Sequence, residues 1–276
     1  LLTTLLDYSE AGLFDPIYDD IKTNLIFRMG CSVDFPYPNS LSKEDSDTKV
    51  SNNIVSEKII TEKNRTRKDE YNRGKISDAK EVANKASDIK TLENNLKHFK
   101  GFHASKGSLG MVFATGNTNA DVLVISEPPG RAEELESLPY AGSEGELFKK
   151  IFASIGLSFS GNKSSNIYVL PLVPFRMVKG SDQIQTDLDL IKPFLIRHIE
   201  LFSPKYIVLI GKIPRVILGL SGNYKVKEGR DDVVYYTGIP TIEIEGIKSM
   251  MKSPERKRRT WNNLKLLKKL MDAESD

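Results

Sequence analysis

The sequence predicts a three-layer α/β domain in which helices cover both faces of a mainly parallel sheet of four or five strands. Short apolar runs of strand length alternate with longer segments of helical periodicity from about residue 92 to residue 271. The apolar runs are continuous, which is typical of strands buried on both faces, and the alternation with helices is typical of parallel sheets.

The individual elements follow from these runs in chain order. Strands are predicted at Asp121–Ile125, Asn166–Leu172, Lys205–Ile210, Val233–Tyr236 and Ile239–Ile244. Helices are predicted at Asp88–Phe99, Glu144–Ile155, Thr186–Leu201, Ile213–Leu218 and Arg258–Met271. Ligands of open parallel sheets bind at the carboxyl ends of the strands. We therefore expect a site where the loops Ser126–Gly130 and Pro171–Arg176 meet the segment after Ile244.

Upstream of this domain the composition changes twice. Residues 1–40 are predicted to form a leader with one amphipathic helix and an extended tail. Residues 41–91 are polar with charges of both signs, and they bury too little apolar area to offset the entropy of ordering, so they are interpreted as a disordered linker. The predicted compact domain covers residues 92–276.

Composition restricts the class of protein. The chain is 39% hydrophobic and 28% charged with a net charge of +3, which is typical of a soluble protein. The single cysteine, Cys31, excludes a disulfide framework and any all-cysteine metal or iron–sulfur site. No apolar run reaches the roughly 18 residues that cross a membrane, and Leu1–Leu6 is too short for a signal peptide. We expect a cytoplasmic monomer.

Three segments follow one another in a recognisable pattern. The first is Ser126-Glu-Pro-Pro-Gly130 with Ala132–Glu134 and Leu138–Gly142; the second is Phe194–Glu200 with Pro204–Gly211; the third is Ser253–Arg258 with Trp261–Leu264. In order and spacing they resemble the uracil-DNA glycosylases of families 4 and 5, especially the family 4 form of alphaproteobacteria. The resemblance covers about residues 92–271 and implies the α/β fold of that family, DNA as partner and base-excision repair as process.

The resemblance also implies roles for residues of the first segment. In the family a base leaves the helical stack and enters a pocket before its bond to deoxyribose is cut. Glu127 matches the carboxylate that orients water and offsets positive charge on the sugar, and Glu133 matches a second acidic pocket position. Tyr140 matches a stacking phenylalanine, and Pro129 and Gly130 complete the pocket loop. The alternatives are a turn carboxylate, an exposed first-turn glutamate and a core tyrosine.

Two positions depart from the family pattern. Pro171 stands where the family has an Asn that reads the uracil edge, and proline has neither a side-chain donor nor a backbone N–H. Gly246 stands where the family has a His that stabilises the charge on the leaving uracil. His98, His103 and His198 lie elsewhere in the sequence and are interpreted as surface or core residues.

The iron–sulfur cluster of family 4 is expected to be absent. Three of its four cysteine positions match Phe102, Phe175 and Ile191, while the fourth has no clear match. Large apolar residues would fill the space left by a cluster, which otherwise costs stability as a cavity. We therefore expect these three side chains to be buried near one another.

Basic residues dominate the segment from Lys248 to Lys269 and favour contact with DNA. Such a run follows phosphates with salt-dependent, sequence-blind affinity, and an apolar pair beside it resembles the wedge that enters the base stack in family members. The alternatives are a solvated helix face and methionines that belong to the core. The predicted contacts are Lys248, Met250, Met251, Lys252, Arg256, Lys257, Arg258 and Arg259.

Three hypotheses about function follow. The first is a degenerate glycosylase homologue that binds DNA or a flipped base, with uracil excision weak or absent. The second is an active DNA glycosylase that uses Glu127 with an altered base preference. The third is a non-enzymatic interaction or structural protein, for which side chains filling the pocket around Pro171 and Gly246 would be the sign.

Overall fold

One mixed sheet forms the centre of the molecule. The computed structural model describes residues 72–160, 162, 164–177, 183–220 and 233–273. Its strands are β1 (Thr115–Gly116), β2 (Val122–Ser126), β3 (Ile167–Pro171), β4 (Tyr206–Ile210), β5 (Val234–Tyr236) and β6 (Ile239–Ile244). They are hydrogen-bonded in the order β1-β3-β2-β4-β6-β5.

The four central strands, β3, β2, β4 and β6, are parallel, and the edge strands β1 and β5 are antiparallel to their neighbours. This confirms the predicted α/β class with a mainly parallel sheet. The sheet has six strands, where four or five were predicted. The additional strand is β1, whose two residues form no apolar run and pair with Val169 and Tyr168 of β3.

Helices account for most of the remaining described residues. They are α1 over 72–84, α2 (Ile89–His98), α3 (Arg131–Glu136), α4 (Ser143–Ala153), α5 (Ile184–Phe202), α6 (Ile213–Ile217), α7 (Ile247–Lys252) and α8 (Pro254–Ala273), with a 3-10 turn at Ala104–Gly107. The predicted helices are all found, with ends shifted by up to four residues. Within the described ranges, no helix is both long and apolar enough to cross a membrane.

Two hydrophobic cores lie on opposite faces of the sheet. Alternate residues of β2 point to different cores, with Leu123 and Ile125 in one and Val122 and Val124 in the other. The first core contains residues of α1, α2, α5 and α6, and the second contains residues of α4, α7 and α8. The three-layer arrangement is therefore confirmed, because each face of the sheet buries its own set of helices.

The folded unit begins upstream of the predicted boundary at residue 92. In α1 and the turn after it, Ala79, Ala83 and Ala86 are at most 1% exposed and belong to the first core. The Arg197 guanidinium donates to the Ala86 carbonyl at 2.8 Å. The linker assignment is thus wrong for residues 72–91, because alanines spaced four and three apart make a small apolar face that composition alone understates. The leader and the rest of the predicted linker lie outside the described residues.

Candidate functional site

The Glu127 carboxylate lies between two glycines at the carboxyl ends of the parallel strands. Glu127 directly follows β2, Gly211 directly follows β4, and Gly246 lies two residues after β6. A Cβ added at Gly211 or at Gly246 would come within 2.8 Å of Oε1 of Glu127. Two of the segments predicted to meet, the loop Ser126–Gly130 and the segment after Ile244, therefore lie together, and they are joined by Gly211, which was not predicted to belong to the site. The absence of side chains at both glycines makes room for the carboxylate.

The two glycines differ in what their backbone requires. Gly211 has a φ of +75°, which other residues rarely adopt. Gly246 has a φ of −58° and a ψ of 140°, which any residue can adopt. A side chain at position 246 would therefore collide with the carboxylate of Glu127, although the backbone there accepts any residue. A histidine there would have to displace that flexible side chain.

Glu133 fixes the loop that carries the site. Its carboxylate accepts hydrogen bonds from the backbone N–H of Gly130 at 2.6 Å and of Tyr140 at 2.7 Å. Burial, together with the negative charge of Glu144, raises the pKa of Glu133 despite these bonds and the nearby Lys248. Glu133 is thus partly buried and links the start of α3 to Tyr140 through its two hydrogen bonds. It is not an exposed first-turn glutamate.

Tyr140 is buried beside the site in an uncommon backbone conformation. It is 7% exposed, its φ is +56°, and its ring stacks on that of Phe148 with centroids 4.0 Å apart. Burial and the negative charges of Glu127 and Glu133 raise the pKa of Tyr140 well above its ordinary value. The hydroxyl therefore stays protonated, while the ring contributes to the core.

Pro171 ends β3 directly beside the site. It is the register partner of Ser126, and the Leu172 N–H donates to the Ser126 carbonyl at 2.9 Å. Pro171 is buried and borders a small apolar cavity of about 20 Å³, together with Phe113 and Phe194. Pro129 is also buried. The strand end where the resemblance places a reading amide thus presents no polar side chain.

The histidines have partners elsewhere in the fold. His198 is 2% exposed within α5, and its Nε2 lies 3.2 Å from the Tyr168 hydroxyl. The backbone N–H of His103 donates to Asp187 at 2.7 Å, and its ring Nδ1 lies 3.3 Å from the same carboxylate. His98 is exposed, with Nδ1 2.8 Å from the Asn94 carbonyl. These positions agree with the surface and core roles predicted for them.

The residues at the matching cysteine positions pack together in the first core. Phe102, Phe175 and Ile191 are 0%, 7% and 3% exposed, and the rings of Phe102 and Phe175 are 5.7 Å apart between centroids. The expected apolar packing is confirmed. These side chains offer no thiolate or imidazole, so they do not fit an iron–sulfur cluster. Within the described ranges, no group of three or more His, Cys, Asp or Glu residues could hold a metal ion.

The basic segment divides into exposed and inward-facing residues. Lys248, Met251 and Lys252 on α7 are exposed, as are Lys257, Arg258 and Arg259 on α8, while Arg256 is partly buried. Met250 is fully buried in the second core with Ile247, one helical turn away. The predicted DNA contact of Met250 is therefore wrong in this conformation, because the inner face of α7 carries that side chain into the core.

Acidic side chains already pair with several of the predicted DNA contacts. Glu245 accepts from Arg259 at 3.0 Å and lies 4.0 Å from Arg256. Lys248 lies 3.5 Å from Glu144. Among the described residues, the side chains of Lys252, Lys257 and Arg258 have no acidic partner within 4 Å, so their charge is available to an external anion.

One buried acid near the site was missed by the sequence analysis. Glu134 has a fully buried side chain and accepts from Arg176 Nε at 2.9 Å, Ser108 Oγ at 2.8 Å and Leu109 N–H at 3.1 Å. Burial raises its pKa, but the bonds from Ser108 and Arg176 outweigh this and hold the pKa below its ordinary value. Glu134 thereby ties the loop after β3 to α3, which begins at the site loop.

Comparisons with known proteins agree with this geometry. A family model for the uracil DNA glycosylase superfamily matches residues 113–265, more than half of the chain. Type-4 uracil-DNA glycosylases of Archaeoglobus fulgidus and Saccharolobus solfataricus are each 28% identical, over 107 and 124 residues, which is 39% and 44% of this chain. These matches span 51% and 55% of the two relatives, about half their length. The type-4 enzyme of Pyrobaculum aerophilum is 21% identical over 160 residues, 57% of this chain and 79% of that relative.

Proposed function

The chain belongs to the uracil DNA glycosylase superfamily, and on that premise we propose that it binds DNA and accepts a flipped base beside Glu127, with weak or absent excision. The observation that carries this proposal is the place of the Glu127 carboxylate at the carboxyl ends of β2, β4 and β6, against Gly211 and Gly246. Ligands of this sheet type bind at that edge. The curated relatives are uracil-DNA glycosylases by name, which supports a nucleobase in DNA as the ligand.

The chemistry available at this edge is limited. A carboxylate at Glu127 can orient water and offset positive charge that develops on a sugar. A departing uracil needs a hydrogen-bond donor for its negative charge, and Gly246 has no side chain to supply one. Pro171 leaves the polar edge of the base unpaired at the end of β3. We infer that this chain binds the base but cleaves the bond between the base and deoxyribose inefficiently.

The DNA-binding surface in this proposal is the exposed part of α7 and α8. It consists of Lys252, Lys257 and Arg258, which have no acidic partner among the described residues, and the exposed Met251. Met251 is 48% exposed, so it is the methionine that can reach a base stack. Arg256 and Arg259 contribute less, because Glu245 already neutralises part of their charge.

Reversing the three unpaired charges tests this surface. In the triple variant Lys252→Glu, Lys257→Glu, Arg258→Glu, we expect DNA affinity at about 0.1 M salt to fall by at least about tenfold for every sequence. The slope of log affinity against log salt should become shallower by about 2–3, since each phosphate contact releases about one counterion. Fluorescence anisotropy with labelled oligonucleotides over a salt series measures both quantities.

A matched control separates this surface from general electrostatics. Lys90, Lys97 and Lys100 are exposed in and after α2, which packs on the opposite face of the sheet. Changing these three lysines to glutamate alters the net charge by the same amount. We expect it to change affinity by less than about twofold. Equal losses in both triple variants, or no loss in the first, would place the DNA elsewhere.

The proposal includes the absence of an iron–sulfur cluster. Aromatic and aliphatic side chains at Phe102, Phe175 and Ile191 occupy one packed region of the first core and provide no ligand. We expect the protein, purified without oxygen, to be colourless and to contain well under one iron per chain. Visible absorbance and elemental analysis measure this. About four irons per chain with a broad visible band would show a cluster.

The two alternatives differ in what they require of Glu127. A non-enzymatic protein predicts side chains that fill the pocket around Pro171 and Gly246. Pro171 is indeed buried beside Phe113 and Phe194, but the group against Gly246 is the polar carboxylate of Glu127. A carboxylate at the strand ends, where ligands of parallel sheets bind, favours a functional pocket. An active glycosylase with altered base preference requires that Glu127 supports cleavage without the missing donor. Excision assays with Glu127→Ala distinguish this alternative from the first proposal.

A further inference from the structure

The Tyr140 hydroxyl is a buried polar group that makes no hydrogen bond of good geometry. In the described part of the chain, only this oxygen and the side-chain carbonyl oxygen of Gln185 are buried side-chain atoms that lack a partner. Gln185 engages Asp189 through its amide nitrogen at 2.8 Å. A buried hydroxyl without a partner destabilises a folded protein, so its presence calls for a physical reason.

The backbone conformation of Tyr140 also costs free energy, and several neighbouring groups fix it. Its φ of +56° lies in the left-handed region, which a bulky residue rarely adopts. Glu133 accepts the Tyr140 N–H at 2.7 Å, and a Cβ on Gly145 would collide with the Tyr140 carbonyl oxygen. Phe148 covers one face of the ring at 4.0 Å between centroids. Strained conformations that the surroundings fix in this way concentrate at functional sites.

The surroundings of the hydroxyl make it a hydrogen-bond donor. Ser126 at the end of β2 is close enough for a long contact with the Tyr140 hydroxyl that lowers the pKa of Tyr140. No hydrogen bond of acceptable distance and angle joins the two, and the Ser126 hydroxyl donates to the Glu127 carbonyl at 3.1 Å. Burial and the charges of Glu127 and Glu133 raise the pKa of Tyr140. The hydroxyl thus keeps its proton and has it available for an acceptor. Ser126 pairs in register with Pro171, the strand end that offers no donor of its own.

We propose that the Tyr140 hydroxyl is a specificity-determining group that donates a hydrogen bond to a carbonyl oxygen of the base bound beside Glu127. This inference rests on the proposed function. The hydroxyl is covered in this conformation, so a base reaches it only after a neighbouring side chain moves. Glu127, whose charge acts on the hydroxyl and whose carboxylate packs against two glycines, is that side chain in our proposal.

The substitution Tyr140→Phe tests the proposal because it removes only the hydroxyl. The probes are a single-stranded oligonucleotide with one cleavage-resistant 2′-fluoro deoxyuridine and the same strand with an abasic analogue at that position. We expect the preference for the uracil strand over the abasic strand to be about 3- to 10-fold smaller in the variant. Its affinity for the abasic strand should be unchanged. Its Tm should rise by roughly 2–4 °C, since an unsatisfied buried group is removed.

Tyr168→Phe is the matched control. Tyr168 is also buried, at 3% exposed, but its hydroxyl lies 3.2 Å from His198 Nε2 in the opposite core. The same substitution there removes a hydrogen bond, so the Tm should fall while the uracil preference is unchanged. The two variants therefore differ in the sign of the Tm shift as well as in binding.

The outcomes separate this inference from the function on which it rests. If the unaltered protein shows no preference for uracil over the abasic strand, the proposed function fails and the inference falls with it. If the preference exists and Tyr140→Phe retains it, base binding stands and the hydroxyl has no role in it. A lowered Tm for Tyr140→Phe would also overturn the inference, because the hydroxyl would then be bonded within the fold.

Discussion

Uracil excision by this protein is expected to be at least about a thousandfold slower than by an intact member of the superfamily. Loss of one donor to a developing negative charge costs about 10²–10³ in rate, and Gly246 supplies no side chain. Pro171 leaves a polar edge of the base unpaired, which costs roughly 1–3 kcal/mol. The two losses act on the same bound base, so they need not add. Single-turnover cleavage of a labelled uracil strand, with enzyme in excess, measures the rate.

Restoring the missing side chains should recover part of that rate. In the variant Gly246→His, Pro171→Asn, we expect a gain of roughly 10²-fold, which Glu127→Ala then removes. A Cβ at position 246 comes within 2.8 Å of Oε1 of Glu127, so the carboxylate must shift in this variant. Gly246→Ala, Pro171→Asn forces the same shift without an imidazole and should show no such gain.

Each result of this series has a definite meaning. If the natural chain already excises uracil at the rate of ordinary glycosylases, the hypothesis of a degenerate pocket is refuted. It would favour the alternative in which Glu127 supports excision of an altered range of bases. A gain in the alanine control equal to that in the histidine variant would show that the amide introduced by Pro171→Asn or the relocation of Glu127, and not an imidazole, restores the chemistry.

The central sheet was predictable because its strands are continuous apolar runs. A parallel strand buried on both faces has no polar positions, so Val122–Ser126 and Tyr206–Ile210 stand out from the sequence around them. The meeting of Glu127 with Gly211 and Gly246 then follows from the rule that parallel strands end at one edge. By contrast, β1 has two partly buried residues and depends on pairing with β3, which local sequence does not encode.

Contacts between residues that are far apart in the sequence account for most of the structural features that could not be predicted. Glu134 and Arg176 are 42 residues apart, and Asp187 binds the backbone of His103 across 84 residues. Only the folded topology brings such pairs together. Short helices are a second cause: six residues at Ile247–Lys252 do not establish which of two adjacent methionines faces inward. Packing against the second core decides it, and Met250 is the buried one.

Acid is expected to destabilise the protein through one buried histidine. His198 is 2% exposed, and burial lowers its pKa from 6.5 to about 3. In the unfolded chain the imidazole takes up a proton below about pH 6.5, whereas the folded chain does not bind it until about pH 3. The unfolding free energy should therefore fall as pH falls through this window, by roughly 1.4 kcal/mol per unit. Above the upper limit of the window, this residue adds no pH dependence.

The variant His198→Gln tests this contribution, because glutamine stays neutral and keeps a polar atom near the Tyr168 hydroxyl. Urea unfolding at pH 7 and pH 4.5 gives the free energy at each pH. The variant is less stable at neutral pH through altered packing, but it should lose about 2–3 kcal/mol less than the natural chain on acidification. His98→Gln, on the exposed side of α2, should follow the natural chain at both pH values. Parallel losses in all three proteins would mean that His198 takes up its proton without unfolding, and that other groups cause the acid sensitivity.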